Sequence, residues 1–287
     1  MLSYTRNFED VLLRRCFGDV ERGFYVDIGA HHPTYASVTR WFYDQGWSGI
    51  NIEPGDGIVA LRAERSRDVN LDVAVADFEG EATFWVHTGN TGTSTLSSHV
   101  SGIVSEKAGE MRPRIVRVTT LPAILDSYAV DKHIHFLKID AEGAEDAIVR
   151  SADWKRHRPE VLLIESTEPY TNIRKKEPWQ DRLQENGYRM TYFDGVNDFW
   201  VREESSALVG AFAVPVNVLD SFRSFDPELS LLRAKVAEQS SALASANLLI
   251  ASLAAENEAL KKKHSKYSGT QERQKLLSRL WMAIRGS

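Results

Sequence analysis

Phe24-Tyr25-Val26-Asp27-Ile28-Gly29-Ala30-His31-His32 is the stretch on which the reading of this chain turns. An apolar, β-rich run delivers a carboxylate into a turn, as a buried parallel strand does when it ends at the rim of a sheet. The same design recurs in Gly49-Ile50-Asn51-Ile52-Glu53-Pro54 and in Phe136-Leu137-Lys138-Ile139-Asp140-Ala141-Glu142-Gly143. Acids gathered at the carboxyl edge of an open α/β sheet lie where such sheets bind ligands.

Around these anchors strand and helix alternate. Apolar runs bounded by turn residues predict strands over 24–28, 48–52, 70–76, 82–87, 114–118, 135–139, 160–165, 188–193 and 198–201. Helical spacing predicts helices over 7–17, 35–46, 57–66, 121–128, 144–151 and 178–186. Asp194-Gly195-Val196-Asn197 is a hairpin signal between the last two strands. The pattern implies an α/β fold with a mostly parallel, Rossmann-like sheet and one antiparallel strand near its edge. The polar run 88–101 has no period and is expected to be a loop; one of that length inside a compact domain is more often functional than decorative.

The composition changes near Pro227. Leu229, Val236, Leu243, Ile250, Asn257 and His264 fall on one heptad position, and Leu232, Gln239, Ala246, Leu253 and Leu260 on its partner. Five such heptads without glycine or proline predict an α-helical coiled coil, with Asn257 favouring a parallel homodimer; a single helix folded back on the domain is the plainer alternative. After Gly269, Leu276, Leu277, Leu280, Trp281 and Ile284 form an apolar face among Arg273, Lys275, Arg279 and Arg285. A basic amphipathic segment of this kind can lie on a membrane surface or dock on a protein partner, or simply be a frayed tail. The expected division is a domain over 1–226, a coiled coil over 227–267 and a basic tail over 268–287.

A chain of 287 residues with 43 % hydrophobic and 26 % charged residues can bury one good core and carry an appendage. A net charge of −5 argues against a nucleic-acid partner, whose phosphates call for excess lysine and arginine. The one cysteine, Cys16, cannot form an internal disulfide and reads as a small hydrophobe. Neither a signal peptide nor a run near the ~20 apolar residues of a membrane span is visible, so the expected location is cytoplasmic, with the tail allowing a peripheral membrane position.

Four blocks, VDIGAHHP at 26–33, NIEP at 51–54, AVADFEGEATF at 74–84 and LKIDAEGAE at 137–145, resemble the FkbM-type methyltransferases. The resemblance runs from about residue 8 to about 218, and its most specific block is LKIDAEGAE, an acid-glycine-acid turn directly after a buried strand. It implies a class I methyltransferase sheet, S-adenosylmethionine as cofactor and methyl transfer to oxygens of sugars or other natural products.

Methyl transfer from a sulfonium asks the protein for alignment and for removal of the hydroxyl proton. Asp27, Gly29, Ala30 and His31 are expected to begin the cofactor cradle, Glu53 to accept the ribose hydroxyls, and Ala74 and Asp77 to bracket the adenine. Asp140, Glu142 and Glu165 are the candidates for the reacting side, one of them as base, or Asp140 and Glu165 as ligands of a divalent cation such as Mg²⁺. Lys138 shares a face with Asp140 by period two, either as a structural ion pair or in a catalytic role. His31 and His32 are alternative bases, or hydrogen-bonded turn residues. Thr93, Ser94, Thr95, Asp194 and Asn197 are candidates for reading substrate hydroxyls. The leading reading is an O-methyltransferase acting on a sugar hydroxyl of a glycan or polysaccharide. Its rivals are an O-methyltransferase of a small secondary metabolite or lipid, and a non-catalytic scaffold whose working part is the coiled coil.

Overall fold

The computed structural model describes residues 1–285, apart from the side chains of Tyr267, Ser268, Ala283 and Ile284. Ile284, counted above on the apolar face, thus lies outside the described side chains. The chain divides into two units, Met1–Phe225 and Asp226–Ser287. The first unit opens with β1 (Leu2–Ser3), α1 (Glu9–Phe17), β2 (Phe24–Ile28), α2 (Arg40–Asp44), β3 (Ser48–Ile52), α3 (Gly57–Glu64) and β4 (Val69–Leu71). Next come β5 (Ala74–Ala76), β6 (Gly80–His87), α4 (Ser98–Lys107), β7 (Met111–Thr120) and α5 (Leu121–Tyr128). It closes with β8 (Phe136–Ile139), α6 (Glu145–Ser151), β9 (Val161–Glu165), α7 (Pro178–Glu185), β10 (Tyr188–Phe193), β11 (Asn197–Arg202) and β12 (Arg223–Ser224). The second unit is one helix, α8 (Pro227–Arg285).

Seven strands form the main sheet in the order β10-β11-β9-β8-β2-β3-β4. All pairs are parallel except those made by β11, which runs against both its neighbours. This is the mostly parallel α/β sheet expected from the sequence. Every residue of β2 is buried because both faces of the sheet are covered. Phe24, Val26 and Ile28 enter one core with Ile124 of α5, Ile148 of α6 and Leu183 of α7. Tyr25 enters the other with Leu12 of α1, Phe42 of α2 and Phe136 of β8. Period two therefore places Asp27 on the face of Tyr25 and Lys138 on the face of Phe136, and the register sets these two residues opposite each other.

Three expectations are corrected. The strand expected over 70–76 is two: β4 extends the main sheet, whereas β5 turns away to pair with β7 in a separate sheet of order β5-β7-β6. The helix expected over 35–46 contracts to α2, because Ala36 takes a left-handed φ of 54° and the Thr39 hydroxyl is engaged by Asp27 and Arg65. The run 88–101 is tied down: Thr95 bridges to Trp85, and the Ser97 hydroxyl accepts from the Val100 amide to start α4.

α8 begins with the Asp226 carboxylate accepting the Leu229 amide at 3.0 Å, an N-terminal cap. The helix continues through Gly269, where the sequence suggested an interruption. A lone helical glycine costs about 1 kcal/mol relative to alanine, which the helix formers on both sides offset.

Candidate active site

The carboxyl ends of β2, β3, β8 and β9 open on a cavity of about 340 Å³. From β2 the chain proceeds to β3 on one side, and from β8 to β9 on the other, so the cavity sits at the switch point where the strand order reverses.

Gly29 shapes its floor. Its φ is +77°, and a Cβ there would lie 1.8 Å from the Asp140 carbonyl oxygen, so the turn accepts no side chain. The Gly29 and Ala30 amides both donate to the Ile52 carbonyl, at 3.0 and 3.2 Å. His31 follows with a φ of 50°. Its amide donates to Glu53 Oε2 at 2.9 Å, and its Nε2 lies 3.0 Å from Thr91 Oγ1. Burial, with the charges of His32 and Lys138, lowers the pKa of His31. Burial pushes the Glu53 carboxyl up to about 7, although the His31 amide and Lys138 favour its ionised form.

Lys138 ties the two central strands together. Its Nζ donates to the Gly29 carbonyl at 2.8 Å and pairs with Asp27 Oδ1 at 3.2 Å and Asp140 Oδ2 at 3.3 Å. Burial opposes its charge, but Asp140 and Asp27 outweigh that and hold its pKa above the ordinary lysine value. A lysine held so firmly in its cationic form cannot serve as a base. Asp27 is 1 % exposed, and its Oδ1 faces the Lys138 ammonium. Its Oδ2 accepts from Thr39 Oγ1 at 3.3 Å, while the fully buried Arg65 donates to that same Thr39 oxygen.

Asp140, Glu142 and Glu165 bring carboxylate oxygens within 4.8 Å of one another. Like charges so close resist joint ionisation. Burial first, then Asp140 and Glu145, raises the pKa of Glu142 well above the usual range. Burial, then Asp140 and Glu142, does the same for Glu165. Glu142 sits at a left-handed φ of 49° in a turn organised by Glu145, whose carboxylate accepts the Ala141 and Gly143 amides, each at 2.9 Å. Beyond these acids the cavity reaches Thr93, Ser94, Asn197 and Glu9. The Asn197 side-chain amide donates to Glu9 Oε1 at 3.3 Å, and burial together with Asp194 pushes the Glu9 carboxyl up to about 7.

Of the cofactor, catalytic and metal candidates read from the sequence, all but His32 and Asp77 line this cavity. His32 is a turn residue: its Nδ1 accepts the Thr34 and Tyr35 amides at 3.0 and 2.9 Å, and the ring stands outside the cavity wall. Asp77 pairs with Arg150 at 2.6 Å and is not among the residues that line the cavity. Among the proposed readers of hydroxyls, Thr93, Ser94 and Asn197 line the cavity. Asp194 instead caps the β10–β11 turn by accepting the Val196 and Asn197 amides, and Thr95 donates to the Glu142 carbonyl. Glu9, Glu145 and the Thr39–Arg65 pair were not singled out in the sequence. Glu145 was within reach, since an acid two residues after Gly143 can accept the amides of its own turn, whereas Glu9 arrives from a distant helix with no local sign.

Comparison with curated proteins and with solved structures finds no match for the chain. A family model described as the methyltransferase FkbM domain matches residues 27–190. That span contains the cradle turn, Glu53, the β8 acids and Glu165, and a methyltransferase family implies S-adenosylmethionine as the methyl donor. With more than half its length matched, and with the acids of that match converging on one sheet edge, the chain belongs to the FkbM methyltransferase family.

Proposed function

We propose that the protein is an S-adenosylmethionine-dependent O-methyltransferase whose acceptor is a sugar hydroxyl of a glycan or polysaccharide. The observation that carries the reading is the convergence of Asp27, Glu53, Asp140 and Glu165 on one cavity across the Gly29 turn. The residues suit the donor. Asp27, buried at the cradle turn and paired with Lys138, contributes negative charge facing the donor's cationic end; Glu53, bonded to the protein through Oε2, can accept a ribose diol with Oε1. An acid-lined wall also favours a positively charged ligand. When bound, this donor supplies a methyl carbon already activated on a sulfonium.

The remaining task is to place a hydroxyl and take its proton. Glu165, whose affinity for a proton is raised by burial and by its acidic neighbours, is suited to take the hydroxyl proton. Glu142 and Asn197 flank the same space and can orient the acceptor, while Lys138 keeps Asp27 and Asp140 in place. Thr93, Ser94 and Asn197 give that wall the hydroxyl and amide groups with which polyhydroxylated acceptors are read. The spacing of Asp140, Glu142 and Glu165 favours one second reading, in which a divalent cation held there lowers the pKa of the acceptor hydroxyl.

Titration calorimetry with S-adenosylhomocysteine tests the donor site. Micromolar binding is expected, and Asp27→Ala or Glu53→Ala is expected to abolish it; absence of binding by the unaltered protein defeats the proposal. Transfer of labelled methyl to purified glycans tests the acceptor, with Glu165→Gln slowing turnover by about 10²–10⁴. Activity that persists in EDTA keeps the side-chain base and removes the cation.

A further inference from the structure

α8 carries its charge unevenly. Between residues 261 and 285 there are eight lysines and arginines and a single acid, Glu272, a local charge of +7 in a chain of −5, which leaves −12 elsewhere. In the same stretch Leu276, Leu277, Leu280 and Trp281 are each more than half exposed. At 100° per residue these four fall within an arc of about 140°, with Lys275, Arg279 and Arg285 outside it and Arg273, three residues before Leu276, within it. Arg285 stacks over the Trp281 ring at 3.7 Å, which holds a cation beside the apolar arc.

This stripe does not continue the heptad seam of residues 229–260. Extending that frame puts Gln271 and Ser278 at the first seam position and Gln274 and Trp281 at the second, so of the four apolar residues Trp281 alone meets the seam, Leu277 flanks it, and Leu276 and Leu280 lie outside it. Among the described residues no helix is long and apolar enough to cross a membrane. A wide apolar arc with a tryptophan, flanked by net positive charge and too polar to insert across a bilayer, matches a helix lying at an interface.

We infer that residues 261–285 of α8 bind in the plane of an anionic lipid surface, with Leu276, Leu277, Leu280 and Trp281 in the acyl boundary and the lysines and arginines among the headgroups. The inference stands on the helix alone and does not depend on methyl transfer.

The test is flotation of the full chain with vesicles of phosphatidylcholine, pure or containing about 30 % phosphatidylglycerol. Partition onto the anionic vesicles is expected to exceed that onto neutral ones at least ~10-fold, and to fall ~10-fold between about 0.05 and 0.5 M salt. Leu280→Glu with Trp281→Glu, and separately Lys261, Lys262 and Lys263 changed to Gln, are each expected to weaken it ~10-fold while circular dichroism shows helix content unchanged. Equal binding to both vesicles, binding to neither, or binding indifferent to the Leu280→Glu and Trp281→Glu changes would overturn the inference; the second outcome is the one a protein partner would give.

Discussion

Gly29 is the least replaceable position in the cavity. Gly29→Ala must both strain a positive φ and drive a methyl into the Asp140 carbonyl, so it is expected to cost at least ~2 kcal/mol in denaturant unfolding and to abolish S-adenosylhomocysteine binding. Glu53 makes a subtler prediction. Its carboxyl is raised from 4.5 to about 7, so the fold is favoured by its protonation. That contribution is complete below about pH 4.5 and lost as the pH climbs through about 7. Glu53→Gln is therefore expected to stabilise the ligand-free protein at pH 8 by about 1–3 kcal/mol. Ribose binding needs the ionised form, so the affinity for S-adenosylhomocysteine should be about tenfold weaker at pH 6 than at pH 8, and the Gln variant should lose that dependence. A slope unchanged in Glu53→Gln would show that another group, such as Glu9, sets it. Lys138→Met leaves Asp27 buried and charged without its partner, and thermal or denaturant unfolding is expected to register a loss of about 3–5 kcal/mol.

Strands buried on both faces were readable almost residue by residue. In β2, β3 and β9 a buried, largely apolar run ends in an acid or a glycine turn, and no exposed face dilutes the signal. The second sheet was harder to see: β7 alternates exposed and buried residues only along part of its length, and the break between β4 and β5 falls within one apolar-looking run. Likewise the cradle acids announced themselves at strand ends, but Glu9 and Arg65 reach the site region only through tertiary packing, which local pattern does not encode. For α8, Leu243, Ile250 and Leu253 are each more than half exposed on the isolated helix, a face that the heptad reading assigns to a second copy. In a parallel pair Glu256 would also meet Lys261 of the other copy across the seam. Light scattering of the full chain should thus give a dimer, and deletion of residues 227–287 a monomer that still binds S-adenosylhomocysteine; a monomeric full chain would refute the pairing.

Taken together, the sheet order, the switch point and the family match describe one methyltransferase unit to which a helix of 59 residues has been added. The unit's organisation was legible because alternating strands and helices leave few arrangements of a parallel sheet open. The cavity wall beyond the acids was not, because it is assembled from α1, the 88–101 segment and the β10–β11 turn, pieces whose only common property is where they end up. One small pairing has a practical outcome. Leu2 and Ser3 lie in register with Arg223 and Ser224, so the unit's opening and closing segments run side by side. Joining them by a short linker and cutting the chain at the exposed turn around Asp131 should yield a circular permutant that keeps the same sheet, frees α8 for transplantation onto other proteins, and still holds its nucleoside.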